Sequence, residues 1–228
     1  MAIAHRAEIT AKEQLSQALA LDFEYVYAPL ELLSAETPEK PRIIAVPPIF
    51  ETHLADLKAM GFERVLAHTV GHIELIKSAG LTPHGGFRLN ITNSSALRQY
   101  EEMGLADAVL SVELSARSVN EIKRQNPVGV MVYGHLPLMV LRRCPVRDGK
   151  HCGKSGCDSL TDRLGNKMRT LCRSGETEVL NLVPLLLTDK TGETNADFCV
   201  VRFSPDEKVT KTPDSKSFTR GMFNKRVK

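Results

Sequence analysis

The stretch RVLAHTVGHIELIKSAGLTPHGGFRLNITNSSALRQYEEMGLADAVLS (Arg64–Ser111) decides the fold. It opens on an apolar run, Arg64–His68, that reads as a buried strand. Ile73, Ile76 and Lys77 then begin a stripe at helical spacing. Gly80 stands where a helix end takes a left-handed glycine. A second run, Gly86–Ile91, reads as the next strand. Asn93–Ser95 offers capping side chains ahead of Ala96, Leu97, Tyr100 and Met103, which share one helical face. Gly104 closes that helix, and Asp107–Ser111 is a third strand. Strand, helix, strand with short turns is the pattern of parallel βαβ units.

The same rhythm extends both ways. His5–Ile9, Phe23–Ala28 and Arg42–Pro47 precede the stretch, and Val128–Gly134 and Val179–Leu187 follow it. Leu54, Leu57 and Met60, ended by Gly61, mark one more helix; Val119 and Ile122 mark another. Thr10 and Ser115 are further helix starts. Eight strands close a (β/α)8 TIM-like barrel, with a doubly wound open sheet as the alternative. The expected organisation is a barrel over 1–203 that includes a cysteine-rich, basic loop insertion at 141–178. Phe198–Phe203 is its last strand. A polar tail, 204–228, follows and wraps the body through Phe218, Met222 and Phe223.

The 228 residues are 42% hydrophobic and 25% charged, as in an ordinary globular protein. No apolar run approaches the roughly 18 residues of a membrane span, and MAIAHRAEITAKEQ lacks the layout of a secretory signal. The expectation is a cytoplasmic protein with no membrane partner. The net charge of +3 is uneven: 141–175 holds nine Lys/Arg against three Asp, and 206–228 holds seven against three acids. Those segments carry +6 and +4, leaving −7 for the remainder. A basic C-terminal half suits either a solvated surface or an anionic partner, nucleic acid or a carboxylate-bearing metabolite.

Four of the five cysteines read Cys144-x7-Cys152-x4-Cys157-x14-Cys172. Clustered thiols in a reducing compartment point to metal or redox chemistry rather than disulfides. Arg142, Arg143, Lys150, Lys154 and Arg173 would offset the charge of a thiolate-ligated centre. The tight knuckles of a zinc ribbon are absent, so a larger iron–sulfur centre suits the spacing better, with zinc as the alternative. Cys199, inside FCVVRF, reads as a small core hydrophobe.

The stretch VYGHLPLMVLRRCP (Val132–Pro145) resembles peptidase family U32, the collagenase-like protease family. FRLNITNSSAL, MGLADAVLSVELS, LTDRLGNKM, VLNLVPLLL and FTRGMF fit the same series in order. The resemblance implies a (β/α)8-like barrel. It further implies a 4Fe-4S cluster on Cys144, Cys152, Cys157 and Cys172, and oxygen-independent hydroxylation of RNA or of an anionic small molecule such as a quinone precursor. Prephenate is the oxygen donor implied for some members. The family's ELLSPAG-like opening is not seen at this N-terminus, which allows for a missing N-terminal domain or partner subunit. The family's usual Arg after Tyr-Gly is His135 here, which would hold an anion only when protonated.

The family label also implies a peptidase, for which the residues supply no mechanism. His68 and His72 stand four apart without the glutamate of H-E-x-x-H, and G-x-S-x-G is absent. A non-catalytic scaffold with a structural zinc is the third expectation. Barrel sites form where strands end, which nominates Glu113, Tyr133 and His135 for catalysis and His68, Asn90 and Asn93 for substrate binding. Arg142 and Arg143 join them as candidate anion ligands. Asn93 also suits a helix cap, and Glu113 an ordinary ion pair.

Overall fold

The computed structural model describes residues 3–145, 160–165, 167–173 and 175–224. The chain begins with β1 (Ala4–Glu8), α1 (Lys12–Leu19), β2 (Val26–Pro29), β3 (Ile43–Val46), α2 (Ala55–Ala59) and β4 (Arg64–Ala67). It continues through α3 (Val70–Ser78), β5 (Thr82–Gly85), α4 (Ser94–Glu102), β6 (Ala108–Val109), α5 (Ala116–Glu121) and β7 (Val128–Gly134). Then come β8 (Pro137–Leu141), β9 (Leu160–Thr161), β10 (Lys167–Arg173), β11 (Glu176–Asn181), β12 (Leu185–Leu186) and β13 (Phe198–Arg202).

Strands β1 to β7 and β13 pair in parallel around a closed ring, β13 lying between β7 and β1 and β6 pairing back onto β7. This is the expected eight-stranded (β/α)8-like barrel. Strand alternation divides its core in two. Tyr27, Ile44, Leu66, Val109, Phe198 and Val200 fill the inside with no helical residue among them. Ala7, Ala28, Ala45, Val65 and Ala67 face outward onto Leu57, Ile73, Ile76 and Leu97 of the helices. Each fully buried Leu or Ile contributes roughly 1.5–3 kcal/mol.

Two of the eight expected strands are different segments. The fifth is Thr82–Gly85, not Gly86–Ile91. Phe87–Leu89 forms a 3-10 turn, and Asn90 takes a left-handed φ of 51°. TPHG has weak strand propensity, and its place between β4 and β6 overrides that. The eighth barrel strand is β13. Val179–Leu187 instead splits between β11 and β12, which run antiparallel to β8 and β7.

The insertion at 141–178, expected as a loop, contains β9, β10 and the start of β11 among its described residues. With β8 they make a four-stranded antiparallel sheet in the order β8-β11-β10-β9. Within the insertion, β10 (KMRTLCR) and β11 (ETEVLN) mix charged and polar with apolar residues, so no apolar run announces them there. Asn181 clamps this sheet to the barrel. Its Oδ1 accepts from Leu136 N at 2.7 Å, and its carbonyl lies 2.8 Å from His135 Nδ1.

Asn93 and Ser115 cap α4 and α5 as expected, accepting from Ala96 N and Ser118 N. Thr10 does not cap α1: its hydroxyl donates to Phe203 O, and Gln14 takes the Thr10 and Ala11 amides. Gly61, Gly80 and Gly104 all adopt positive φ after their helices. In the tail Phe223 is buried while Phe218 is 42% exposed. No helix among the described residues is long and apolar enough to cross a membrane.

Candidate active site at the barrel mouth

β1 and β13 end side by side, with Glu8 opposite Arg202. Both side chains point into the barrel, one position beyond the apolar layer, and both are 3% exposed. Arg202 Nε donates to Glu8 Oε1 at 2.8 Å, and its Nη1 donates to His135 O at 3.1 Å. Its Nη2 reaches up to Glu178 Oε2 of β11 at 2.5 Å. The other Glu178 oxygen accepts from Arg88 Nη2 at 2.8 Å, the arginine standing on the turn after β5. Glu176 Oε2 accepts from Ile49 N, beyond β3, at 2.7 Å. The antiparallel sheet therefore roofs the C-terminal mouth, where barrel enzymes place their chemistry.

Charges this deep persist only when paired. Burial alone would raise the Glu178 carboxyl, but Arg202, Arg173 and Arg88 hold it well below the usual carboxylate range. Glu176 moves the other way: burial raises it, and the Ile49 amide only partly offsets that. His68, at the exit of β4, is buried among these groups. Burial first, then Arg88 and His72, pushes its pKa well below the usual value, so the ring is neutral.

Register separates the two faces of the roof. Arg173 lies opposite Glu176 and Leu171 opposite Glu178, on the face turned to the barrel. Cys172 lies opposite Thr177, its sulfur 3.6 Å from Thr177 Oγ1, and Thr177 lies opposite Leu141 on the other face. Cys144, three residues past Leu141, is at the same end of the sheet. Cys144 and Cys172 are 0% and 5% exposed. Cys152 and Cys157 lie outside the described residues.

The other sequence candidates scatter. Glu113 is exposed, and only its backbone is tied, to Ser111 Oγ. Tyr133 turns outward against Phe203 and donates to Glu207 Oε1 at 2.5 Å. His135 is buried at the Asn181 clamp, and burial lowers its pKa, so it does not serve as a cationic substitute for arginine. Asn90 Oδ1 accepts from Ser111 Oγ at 2.6 Å, and Asn93 is the α4 cap. Arg142 and Arg143 are exposed beside the roof, Arg142 stacking over Phe50 at 4.5 Å. Of the candidates, only His68 joins the charged mouth.

Glu8, Arg88, Glu178 and Arg202 were missed, and Arg173 was read only as a counter-charge to the cysteine centre. The available signal was a charge at an inward position of an apolar strand, as in FCVVRF. A second buried cluster of the same kind lies nearer the strands' N-terminal ends. There Arg6 Nη1 donates to Asp107 Oδ2 at 2.7 Å and to Tyr27 OH at 3.1 Å. Arg6 also stacks on Phe198 at 3.4 Å, and His84 Nδ1 stands 2.9 Å from Asp107 Oδ1. By its position this lower cluster is a core plug.

Fold and mouth together define a protein of the (β/α)8 barrel class with an enclosed polar site at the strand C-termini. Residues 48–156, from the exit of β3 into the cysteine segment, match Peptidase family U32, in support of the family resemblance carried by the sequence motifs. No curated protein matches the chain.

Proposed function

We propose that this chain is an iron–sulfur barrel enzyme that binds a small anionic substrate in the roofed mouth, for oxygen-independent hydroxylation. The observation that carries the reading is the union, in one β-strand, of Cys172 on the outer face of the roof and Arg173 on its inner face. Cys144, Cys152, Cys157 and Cys172 would hold the 4Fe-4S cluster. The donor set fits as far as it is described: two buried cysteines at one end of one sheet, with Arg142, Arg143 and Arg173 beside them. A bound cluster would supply one-electron chemistry. The chain's own residues enclose the substrate, exclude water and fix its charge.

An enclosed, arginine-lined mouth favours a small anion over RNA, whose splayed bases need an open groove. Peptidase chemistry gains nothing from the geometry. His68 and His72 face each other at 6.1 Å between ring centroids, and no group of three metal-ligating side chains surrounds them among the described residues. Anaerobic purification followed by iron, sulfide and zinc analysis tests the proposal. The expected result is a brown protein with about four irons per chain. One zinc and no iron would leave only a scaffold.

A further inference from the structure

The large hydrophobic side chains left exposed are not scattered. Among the described residues there are seven, and five of them gather at one end of the roofing sheet: Leu138, Met139, Leu164, Leu182 and Phe218, between 42% and 77% exposed. One cleft of about 710 Å³ joins them. Leu138 and Leu182 line it directly; Leu164 stands between Asp162 and Gly165 of its wall, and Phe218 precedes Thr219 of its wall. Local structure holds the side chains outward. Leu164 is at the apex of the turn between β9 and β10, where Asp162 Oδ1 accepts from Leu164 N at 2.8 Å and Gly165 N donates to Asp162 O at 3.0 Å. Turn apices ordinarily take polar residues, so a leucine fixed there and 77% exposed has no packing role. Arg220, tied to Asp189, stacks over the Phe218 ring at 4.7 Å. Leu138 is the unpaired residue where β8 slips by one against β11. A contiguous apolar patch of this kind marks an interaction surface.

The free charges around the patch are of one sign. Arg163, Lys167 and Lys216 are exposed, and none has a carboxylate within ion-pair distance among the described residues. Asp162, the acid of the cleft wall, is turned to the Leu164 amide. A second copy seated face to face would bring these cations together, whereas an acidic surface answers them. We propose that this face docks on the surface of an anionic lipid bilayer, with Leu164 and Phe218 entering the headgroup boundary and Arg163, Lys167 and Lys216 resting on lipid phosphates. Leucine and phenylalanine held outward beside basic residues supply both parts of interfacial attachment, apolar burial and attraction to anionic lipid. The expectation of no membrane partner rests on spanning segments, and a peripheral contact does not need one. The inference is independent of the cluster and of the charged mouth.

Vesicle flotation with the full, anaerobically purified chain tests the proposal. Vesicles of equal parts phosphatidylcholine and phosphatidylglycerol should carry the protein upward, and vesicles of phosphatidylcholine alone should carry far less. Raising salt from about 0.1 M to about 1 M, which shortens the screening length from about 10 Å to about 3 Å, should weaken the binding. The double variant Leu164→Ser/Phe218→Ser should weaken it at least about tenfold, the scale of burying one large apolar side chain. Arg163→Glu/Lys167→Glu should lose the preference for anionic vesicles. The chain has no tryptophan, so Leu164→Trp places a single reporter at the turn apex. Its emission should shift to the blue on anionic vesicles, while Val70→Trp, 51% exposed on α3 and outside the cleft, should not shift. Circular dichroism establishes that each variant is folded. No flotation on anionic vesicles, equal binding to both compositions, undiminished binding by the folded serine variant, or a blue shift at Val70→Trp each overturns the inference. Sedimentation equilibrium covers the remaining occupant. A dimer that the serine variant dissolves, with no vesicle binding, overturns the inference in favour of a second copy on this face.

Discussion

Arg202 of the last barrel strand and Glu178 of the roofing sheet meet at 2.5 Å, each almost wholly buried. No backbone ladder joins β13 to β11, so this contact helps hold the roof on the barrel, together with the Asn181 clamp, Arg88 on Glu178 and the Ile49 amide on Glu176. Removing one partner strands the other charge in a dry site, which costs about 3–5 kcal/mol. Glu178→Ala should therefore destabilise the chain on that scale in urea unfolding, more so because Arg88 loses its partner as well. The double variant Arg202→Met/Glu178→Met should cost clearly less than the sum of its single variants. Additive losses would show that the two side chains do not act as a pair.

The buried groups set a two-stage acid response. The folded pKa of His68 lies well below its ordinary value because of burial first and Arg88 next. In the unfolded chain it takes up a proton near pH ~6.5, so below that pH the unfolded state binds more protons and stability falls. His72 and His135 are lowered by burial too and add to this stage. Glu178 is held low when folded, so its contribution is present above the unfolded carboxylate value of about 4.3 and is lost as pH drops through and below it. The urea midpoint should decline between pH ~7.5 and ~5.5, then fall further below pH ~4.5. His68→Gln should flatten the upper stage, and a midpoint already flat in the wild type there would contradict this account.

The barrel was legible because its helix-facing layer obeys simple periodicity: Ile73 and Ile76, or Leu97 and Tyr100, fall at helical spacing whatever lies inside the ring. Segments that break propensity were not legible. TPHG becomes a strand because β4 and β6 hold it, and FRLNI becomes a turn because Asn90 tolerates φ of 51°. The mouth was hidden for a related reason. Arg202 and Glu178 are remote in sequence from Glu8 and Arg88, and each alone resembles a surface charge. Only the closed ring and its roof bring them together. Position after a strand end found His68 but also selected capping and turn residues, Asn93 and Asn90.

Gly129 tests how tightly the inside of the ring is packed. A Cβ there would lie 2.1 Å from Cε2 of Phe198, on the neighbouring strand of the ring. Phe198 is pinned in turn by Arg6 stacked on its ring, so it has little freedom to retreat. Gly129→Ala should destabilise by about 1–3 kcal/mol, the usual cost of overpacking. Phe198→Leu in the same chain should recover part of that loss. Thermal unfolding of the two single variants and the double variant reads the coupling directly.

The cysteines divide by environment, and the division is testable. Cys199 sits within β13, paired with His5 on one side and Val130 on the other, and is 0% exposed. Burial pushes its thiol up to about 12, so it stays protonated and serves as a core side chain. Cys144 and Cys172 instead lie buried at one end of the roof, with Arg142, Arg143 and Arg173 next to them in sequence. Cys144→Ser and Cys172→Ser should each lose most of the iron bound by anaerobically prepared protein. Cys199→Ala should retain it at a stability cost of about 1 kcal/mol. Equal iron loss in all three variants would mean that general unfolding, not ligation, controls metal content. Full iron in Cys144→Ser and Cys172→Ser would move the centre to other residues.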